Sequence, residues 1–110
     1  MKATSLEQSK RLMKILPKET ADLNYRLDED GETYRLDYMP SVLTAWPSIP
    51  AWSLDGLVEA LEGCRVSLIK WKSKYTGTYY YTARIGGNIV DSDISLVDAL
   101  AELIINEEKI

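Results

Sequence analysis

Apolar residues fall along the chain in three helical runs separated by alternating, ring-rich stretches. Leu6, Ser9, Leu12, Met13 and Leu16 share one side of a helical wheel, opposite Glu7, Lys10, Arg11 and Lys14, the pattern of a surface helix with one buried stripe. Thr4 and Glu7 have capping-box spacing, and Pro17 pushes the residue before it out of the α region, so a helix is predicted over Thr4 to Leu16. Lys18 to Leu23 adds at most one further turn. A second helix is expected from Ser53, a good N-cap, to Gly63, which suits a left-handed end; Leu54, Leu57, Val58 and Leu61 face inward and Asp55 sits in the first turn. Gly56 inside it costs about 1 kcal/mol relative to alanine, which calls for a late helix start or a close neighbour at that position. The third helix runs from Ser95 to about Glu107, with Ser95 and Asp98 at capping spacing. Its apolar residues cover well over half the circumference and leave chiefly Asp98, Glu102 and Ile105 outside, so it is expected to be the most buried of the three.

Between the helices the period changes to two. Tyr25 to Leu27 and Thr33 to Tyr38 flank Asp28-Glu-Asp-Gly31, a hairpin for which Asp-Gly suggests a type I′ turn, with Tyr34, Leu36 and Tyr38 on one face. Arg65 to Ser73 and Thr78 to Ile85, joined by Lys74-Tyr-Thr-Gly77, form the stronger hairpin, in which Tyr79, Tyr81, Ala83 and Ile85 alternate with Tyr80, Thr82 and Arg84. Gly86-Gly-Asn88 breaks that pattern. From Tyr38 to Leu54 there is no charge, and Pro40, Pro47 and Pro50 oppose regular structure, so an apolar loop is expected there.

The predicted order is α-ββ-α-ββ-α. Hairpins require antiparallel pairing and three amphipathic helices need an apolar sheet face, so the expected fold is α+β: two layers, an antiparallel sheet of two hairpins packed against three helices, with residues 1–110 in a single domain. Ser5-Leu6, Ser53-Leu54 and Ser95-Leu96 each open a helix with the same dipeptide, too short a match to decide whether the two α-ββ units are a duplication.

Composition narrows the function classes. With 110 residues, 45% apolar and 27% charged, the chain has the balance of a folded domain and not of a disordered one. A net charge of −4 disfavours non-specific binding to nucleic acid or anionic membrane by the surface as a whole. The lone Cys64 excludes an internal disulfide, and the absence of histidine removes the commonest general base and metal ligand. No signal-peptide run or membrane-length apolar stretch is present. A cytoplasmic location is expected, with no membrane association and no cofactor.

Charge is unevenly spread. Residues 65–90 hold Arg65, Lys70, Lys72, Lys74 and Arg84 and no carboxylate, which leaves −9 on the remaining chain. Lys70, Trp71, Lys72, Lys74, Tyr75, Tyr80 and Arg84 form the candidate nucleic-acid contact, since bases stack on rings while lysines follow phosphates. The plainer reading is the solvent face of an edge strand, where lysine discourages sheet aggregation; an acidic protein partner is a third. In the uncharged stretch, Trp46, Ile49 and Trp52 are the candidate protein contacts, against the plainer reading of a lid over the core. Asp91-Ser-Asp93 and Asp28-Glu-Asp30 lack the further oxygen ligands a hard cation needs and read as turn and capping residues. Cys64 has no histidine to serve as base and is expected to be a small buried residue at a strand start. Seventeen carboxylates offer many pairs for acid–base chemistry, and nothing in the spacing selects one.

Pro50-Ala-Trp-Ser-Leu-Asp-Gly-Leu-Val-Glu-Ala-Leu61, the tyrosine-rich hairpin after it and Ser95-Leu-Val-Asp-Ala-Leu-Ala-Glu-Leu103 resemble a group of small uncharacterised proteins encoded in gut Bacteroides genomes, many in prophage or other mobile-element regions. The N-terminal Ser5-Leu-Glu-Gln-Ser-Lys helix ending in Leu16-Pro17 is similar to theirs as well. Glu62-Gly-Cys64, where those proteins have a proline, and Asp93-Ile-Ser95, where they have asparagine-leucine, are departures confined to helix ends. The resemblance implies a phage-related or mobile-element setting and no catalytic residues. The expected function is a non-catalytic accessory module that binds another protein as a monomer or weak homodimer; single-stranded nucleic-acid binding through the hairpin 65–85 is the alternative, and an enzyme is third.

Overall fold

The computed structural model describes residues 2–37 and 48–107. Among these described residues three helices and six strands follow one another as α1 (Leu6–Leu12), β1 (Leu23–Leu27), β2 (Tyr34–Asp37), β3 (Ser48–Ala51), α2 (Leu54–Ala60), β4 (Val66–Lys72), β5 (Tyr79–Ile85), β6 (Asn88–Ser92) and α3 (Leu96–Glu107), with a short 3₁₀ turn at Lys18–Thr20. The fold is α+β, and all strand pairs are antiparallel. Each predicted hairpin gains a third strand, so there are two three-stranded sheets, ordered β2-β1-β3 and β4-β5-β6. The two are strung differently. In the first the central strand is the first in sequence, and in the second it is the middle one; the two α-β-β-β stretches do not share a topology.

Both added strands correct the sequence reading. Gly86-Gly87 is the two-residue link of a tight hairpin: Ile85 pairs with Asn88, and Gly86 has φ 60°, a conformation glycine adopts without steric cost. The dipeptide that looked like a break is a turn. Ser48–Ala51 forms a strand despite Pro50, which stands opposite Asn24. Here β3 is an edge strand, the place in a sheet where a missing amide is tolerated. The first hairpin also closes differently from a type I′ turn. The Asp28 amide donates to the Thr33 carbonyl and the Gly31 amide to the Asp28 carbonyl; only Gly31 has positive φ, whereas type I′ requires it at both central residues. Asp30 holds this wider loop by accepting from the amides of Glu32 and Thr33, both at 2.8 Å, and from the Thr33 hydroxyl.

The main core is built around α3. Val97, Ala99, Leu100, Ala101, Leu103, Ile104 and Ile105 are all buried, because one side of the helix lies on β4, β5 and β6 and other sides meet α1 and α2. A helix covered on several sides is apolar nearly all round, and Ile105, expected outside, is therefore inside. Leu12, Ala21, Trp52, Leu57 and Ala83 join this core, with Val66, Leu68, Tyr81, Ile85 and Val90 packed against it from the second sheet. A smaller cluster of Ala3, Leu23 and Ala51, with Tyr25 and Leu36 alongside, sits under the first sheet.

At the N-terminus the cap is Ser5 and not Thr4. The Ser5 hydroxyl accepts from the Gln8 amide, and the Gln8 side chain accepts in return from the Ser5 amide. Thr4 is withdrawn into the core, where its hydroxyl meets Ser9 at 2.7 Å and accepts from the Trp52 amide. The Gln8 side-chain amide also donates to Asp98 at 2.8 Å and Glu102 at 3.0 Å, joining α1 to α3. Helix α1 stops at Leu12, which leaves Met13 exposed, and Val58 of α2 is exposed as well. Both were expected inside. No helix among the described residues is long and apolar enough to cross a membrane.

Candidate functional site

Two of the three candidate protein contacts, Trp52 and Ile49, lie among the described residues. Trp52 is fully buried. Its indole N–H donates to the Thr20 hydroxyl at 3.0 Å, and its backbone exchanges hydrogen bonds with Thr4. Such a residue ties the N-terminal segment to the entry of α2 and is not available to a partner. Ile49 is half-buried in β3, and Trp46 lies outside the described residues.

The candidate nucleic-acid residues lie on the second sheet, and strand alternation divides them between its faces. Val66, Leu68, Lys70 and Lys72 of β4 stand beside Ile85, Ala83, Tyr81 and Tyr79 of β5. Ala83, Val66, Leu68, Tyr81 and Ile85 belong to the core, so this inner face is covered by α3 at one end and open at the other. On the open part the Lys70 ammonium lies 4.8 Å from the Tyr79 ring centre and 5.8 Å from that of Tyr81, while Lys72 lies 5.6 Å from Tyr79. Two cations thus share one ring. Lys74 and Tyr75 are in the turn beyond, Tyr75 with 98% of its surface exposed.

The outer face carries the other half. Trp71 stacks on Tyr80 with ring centres 4.9 Å apart and planes 27° from parallel. The Trp71 indole donates to the Thr82 hydroxyl at 2.9 Å, which in turn donates to Asp91 at 2.6 Å, a chain of side chains across β4, β5 and β6. Ile69 and Ile89 flank it, 53% and 57% exposed, and Trp71 itself is 42% exposed. Arg84 is on this face too, its Nε donating to the Gly86 carbonyl. Sequence spacing alone shows which residues alternate. It cannot say which set the third helix will cover, nor that β6 supplies Ile89 and Asp91.

The remaining candidates are structural. Asp91 accepts from Thr82, whereas the Ser92 hydroxyl, on the opposite face, donates to Asp98. Among the described residues no three His, Cys, Asp or Glu side chains gather where they could hold a metal ion. Asp30 is held well below the ordinary carboxylate range, at about 2, by the Thr33 hydroxyl and the Thr33 and Glu32 amides that donate to it. Tyr25 is pushed up by burial, and its hydroxyl donates to the Thr4 carbonyl. Cys64 is exposed and not buried, since it follows the left-handed Gly63 in the turn before β4. An open groove of about 410 Å³ lies between the starts of α2 and α3, against Tyr81 and Lys2. The hydroxyls of Ser53 and Ser95 that line it accept helix amides from Gly56 and Asp98, so both are committed to capping.

Compared with protein-family models, curated proteins and solved structures, the chain matches none.

Proposed function

We propose that this chain is a non-catalytic accessory module that binds another protein, in the phage-like or mobile-element setting implied by its resemblance to the Bacteroides proteins. The observation that carries this reading is the outer face of β4-β5-β6. Ile69, Trp71 and Tyr80 lie side by side there, Ile89 lies beyond Thr82 and Arg84 on the same face, and no described element covers them. Apolar residues exposed as a contiguous patch with a polar rim are a feature of protein contact surfaces, whereas isolated ones are ordinary. The rings are held in place before any partner arrives, by their mutual stack and the Trp71–Thr82–Asp91 hydrogen bonds, which lowers the ordering cost of association. A cytoplasmic location and a monomeric or weakly dimeric state are part of this proposal.

The test is affinity capture from host extract with the wild-type protein and with a Trp71→Asp/Ile89→Asp variant. The expected result is a partner retained by the first and lost with the second while the circular dichroism of the two agrees. If nothing is retained, or if retention ignores the substitutions, the outer face is not the contact.

Single-stranded nucleic acid remains the second reading, favoured by Lys70, Lys72, Tyr79 and Tyr81 on the open inner face. It ranks lower because the lysines already rest on the rings and the stacked Trp71–Tyr80 pair is on the opposite side of the sheet. Retention of oligothymidylate with a steep salt dependence would reverse the order.

A further inference from the structure

We infer that the free edge of β4 accepts an extended acidic segment of a partner protein as an added antiparallel strand. This rests on the protein-binding reading above and specifies its chemistry. β4 is the first strand in the order β4-β5-β6, and no described strand pairs with it on the side away from β5. From Ile69 to Lys72 every residue is exposed, so the outward backbone groups of this stretch are open to a new strand. An unpaired edge of this kind is a template for main-chain hydrogen bonds, and what it accepts is set by the side chains on either side of it.

Those side chains prescribe an alternating ligand. Lys70 and Lys72 project on the inner side and Ile69 and Trp71 on the outer. An added strand therefore meets cations on one face and apolar groups on the other, which suits a carboxylate at every second position with apolar residues between. The hairpin contains no carboxylate of its own across residues 65–90. None of the ion pairs observed among the described residues involves Lys70 or Lys72; those pairs are Glu7–Lys10, Arg26–Asp37 and Asp28–Arg35. The two ammonium groups sharing the Tyr79 ring repel each other, and an acidic strand beside them relieves that repulsion.

The same residues reject a second copy of the chain. Antiparallel pairing of two β4 edges about Trp71 would set the Lys70 of one copy against the Lys72 of the other, and like charges directly opposite destabilise a strand pair. In that register the edge is closed to itself, while it is open to a strand of opposite charge.

The test is fluorescence anisotropy at low salt with a labelled alternating Glu-Val octapeptide, a block peptide of the same composition and an N-methylated version that cannot complete the ladder. The alternating peptide is expected to bind, the other two to bind at least about tenfold more weakly, and Lys70→Glu/Lys72→Glu to lower its affinity by a similar factor. Circular dichroism checks that this variant, altered only at exposed positions, keeps its fold. Absence of binding, equal binding of the N-methylated peptide, or tighter binding of oligothymidylate than of the alternating peptide overturns the inference. Should the octapeptide fail while a captured partner still depends on Trp71 and Ile89, strand addition is excluded and the protein-binding reading stands.

Discussion

The carboxylate of Asp22 fills the space that a side chain at position 56 would occupy. A Cβ placed on Gly56 would lie 2.5 Å from Asp22 Oδ1 and 3.2 Å from the Thr20 carbonyl oxygen. Asp22 is there because it accepts from both the amide and the hydroxyl of Ser53, reinforcing the cap of α2 from outside the helix. The glycine that weakens α2 by propensity is the condition for that cap. Gly56→Ala should therefore destabilise the protein by about 1–2 kcal/mol, the overpacking cost exceeding the gain of about 1 kcal/mol in helix propensity. In an Asp22→Ala background the same change should cost much less. Urea denaturation of the four proteins in this cycle decides it, and additive effects would rule out the clash.

The two tryptophans of known environment should behave oppositely. Trp52→Ala removes a fully buried side chain and is expected to cost about 3–5 kcal/mol, a large share of the total for a domain of this size. Trp71→Ala gives up a partly exposed stack and should cost about 1 kcal/mol. Denaturation midpoints measured side by side test the contrast. A Trp52→Ala protein of unchanged stability would contradict the anchoring role.

Acid should loosen the first hairpin through Asp30. Its folded pKa is lowered from 3.8 to about 2, so its contribution is present above the unfolded value and is lost as pH falls from about 4 toward 2. Carboxyl carbon shifts in an NMR titration should give a midpoint near the lower value, with the Thr33 amide shift following it. A midpoint at the ordinary value would mean that the loop hydrogen bonds do not persist in solution.

Gln8 joins two carboxylates across the interface of α1 and α3. Gln8→Leu should cost about 2 kcal/mol, since the bonds lost are to charged groups in a partly buried site. Gln8→Glu should cost more at neutral pH, because it places a third carboxylate beside Asp98 and Glu102. The two neighbouring carboxylates raise the pKa of the new carboxyl, and its protonation relieves the repulsion, so the deficit should shrink as pH falls toward and through the usual carboxylate range. Thermal unfolding of both variants across that range provides the comparison.

What the sequence makes legible is local. Ser95 and Asp98 mark the start of α3 because the hydroxyl and the amide that it caps are three residues apart, and Gly77 at φ 72° closes the turn between β4 and β5 as its position suggests. What escapes it depends on neighbours remote in sequence. Ser5 and Thr4 both have cap chemistry, and the choice falls to Ser5 because Thr4 is claimed by Trp52, 48 positions away. Pro50 argues against a strand until β1 supplies an edge for it. Ile105 reads as exposed on a helix lying over one surface and is buried on one enclosed by several. At the candidate site the alternation of Lys70, Trp71 and Lys72 is visible in the chain, but the division into an inner and an outer face follows only from where α3 rests.

That resting place also orders events during synthesis. The helix against which α1, α2 and the second sheet close emerges from the ribosome after all of them, so the main core cannot assemble on a nascent chain that lacks it. Until then the apolar sides of α1 and α2 have nothing to cover them. Residues 66–107 join elements adjacent in sequence and can collapse quickly once released, whereas Gln8 must reach Asp98 across 90 positions, a slower closure. The chain should therefore finish folding from its C-terminal half backward, with the N-terminal helix docking last.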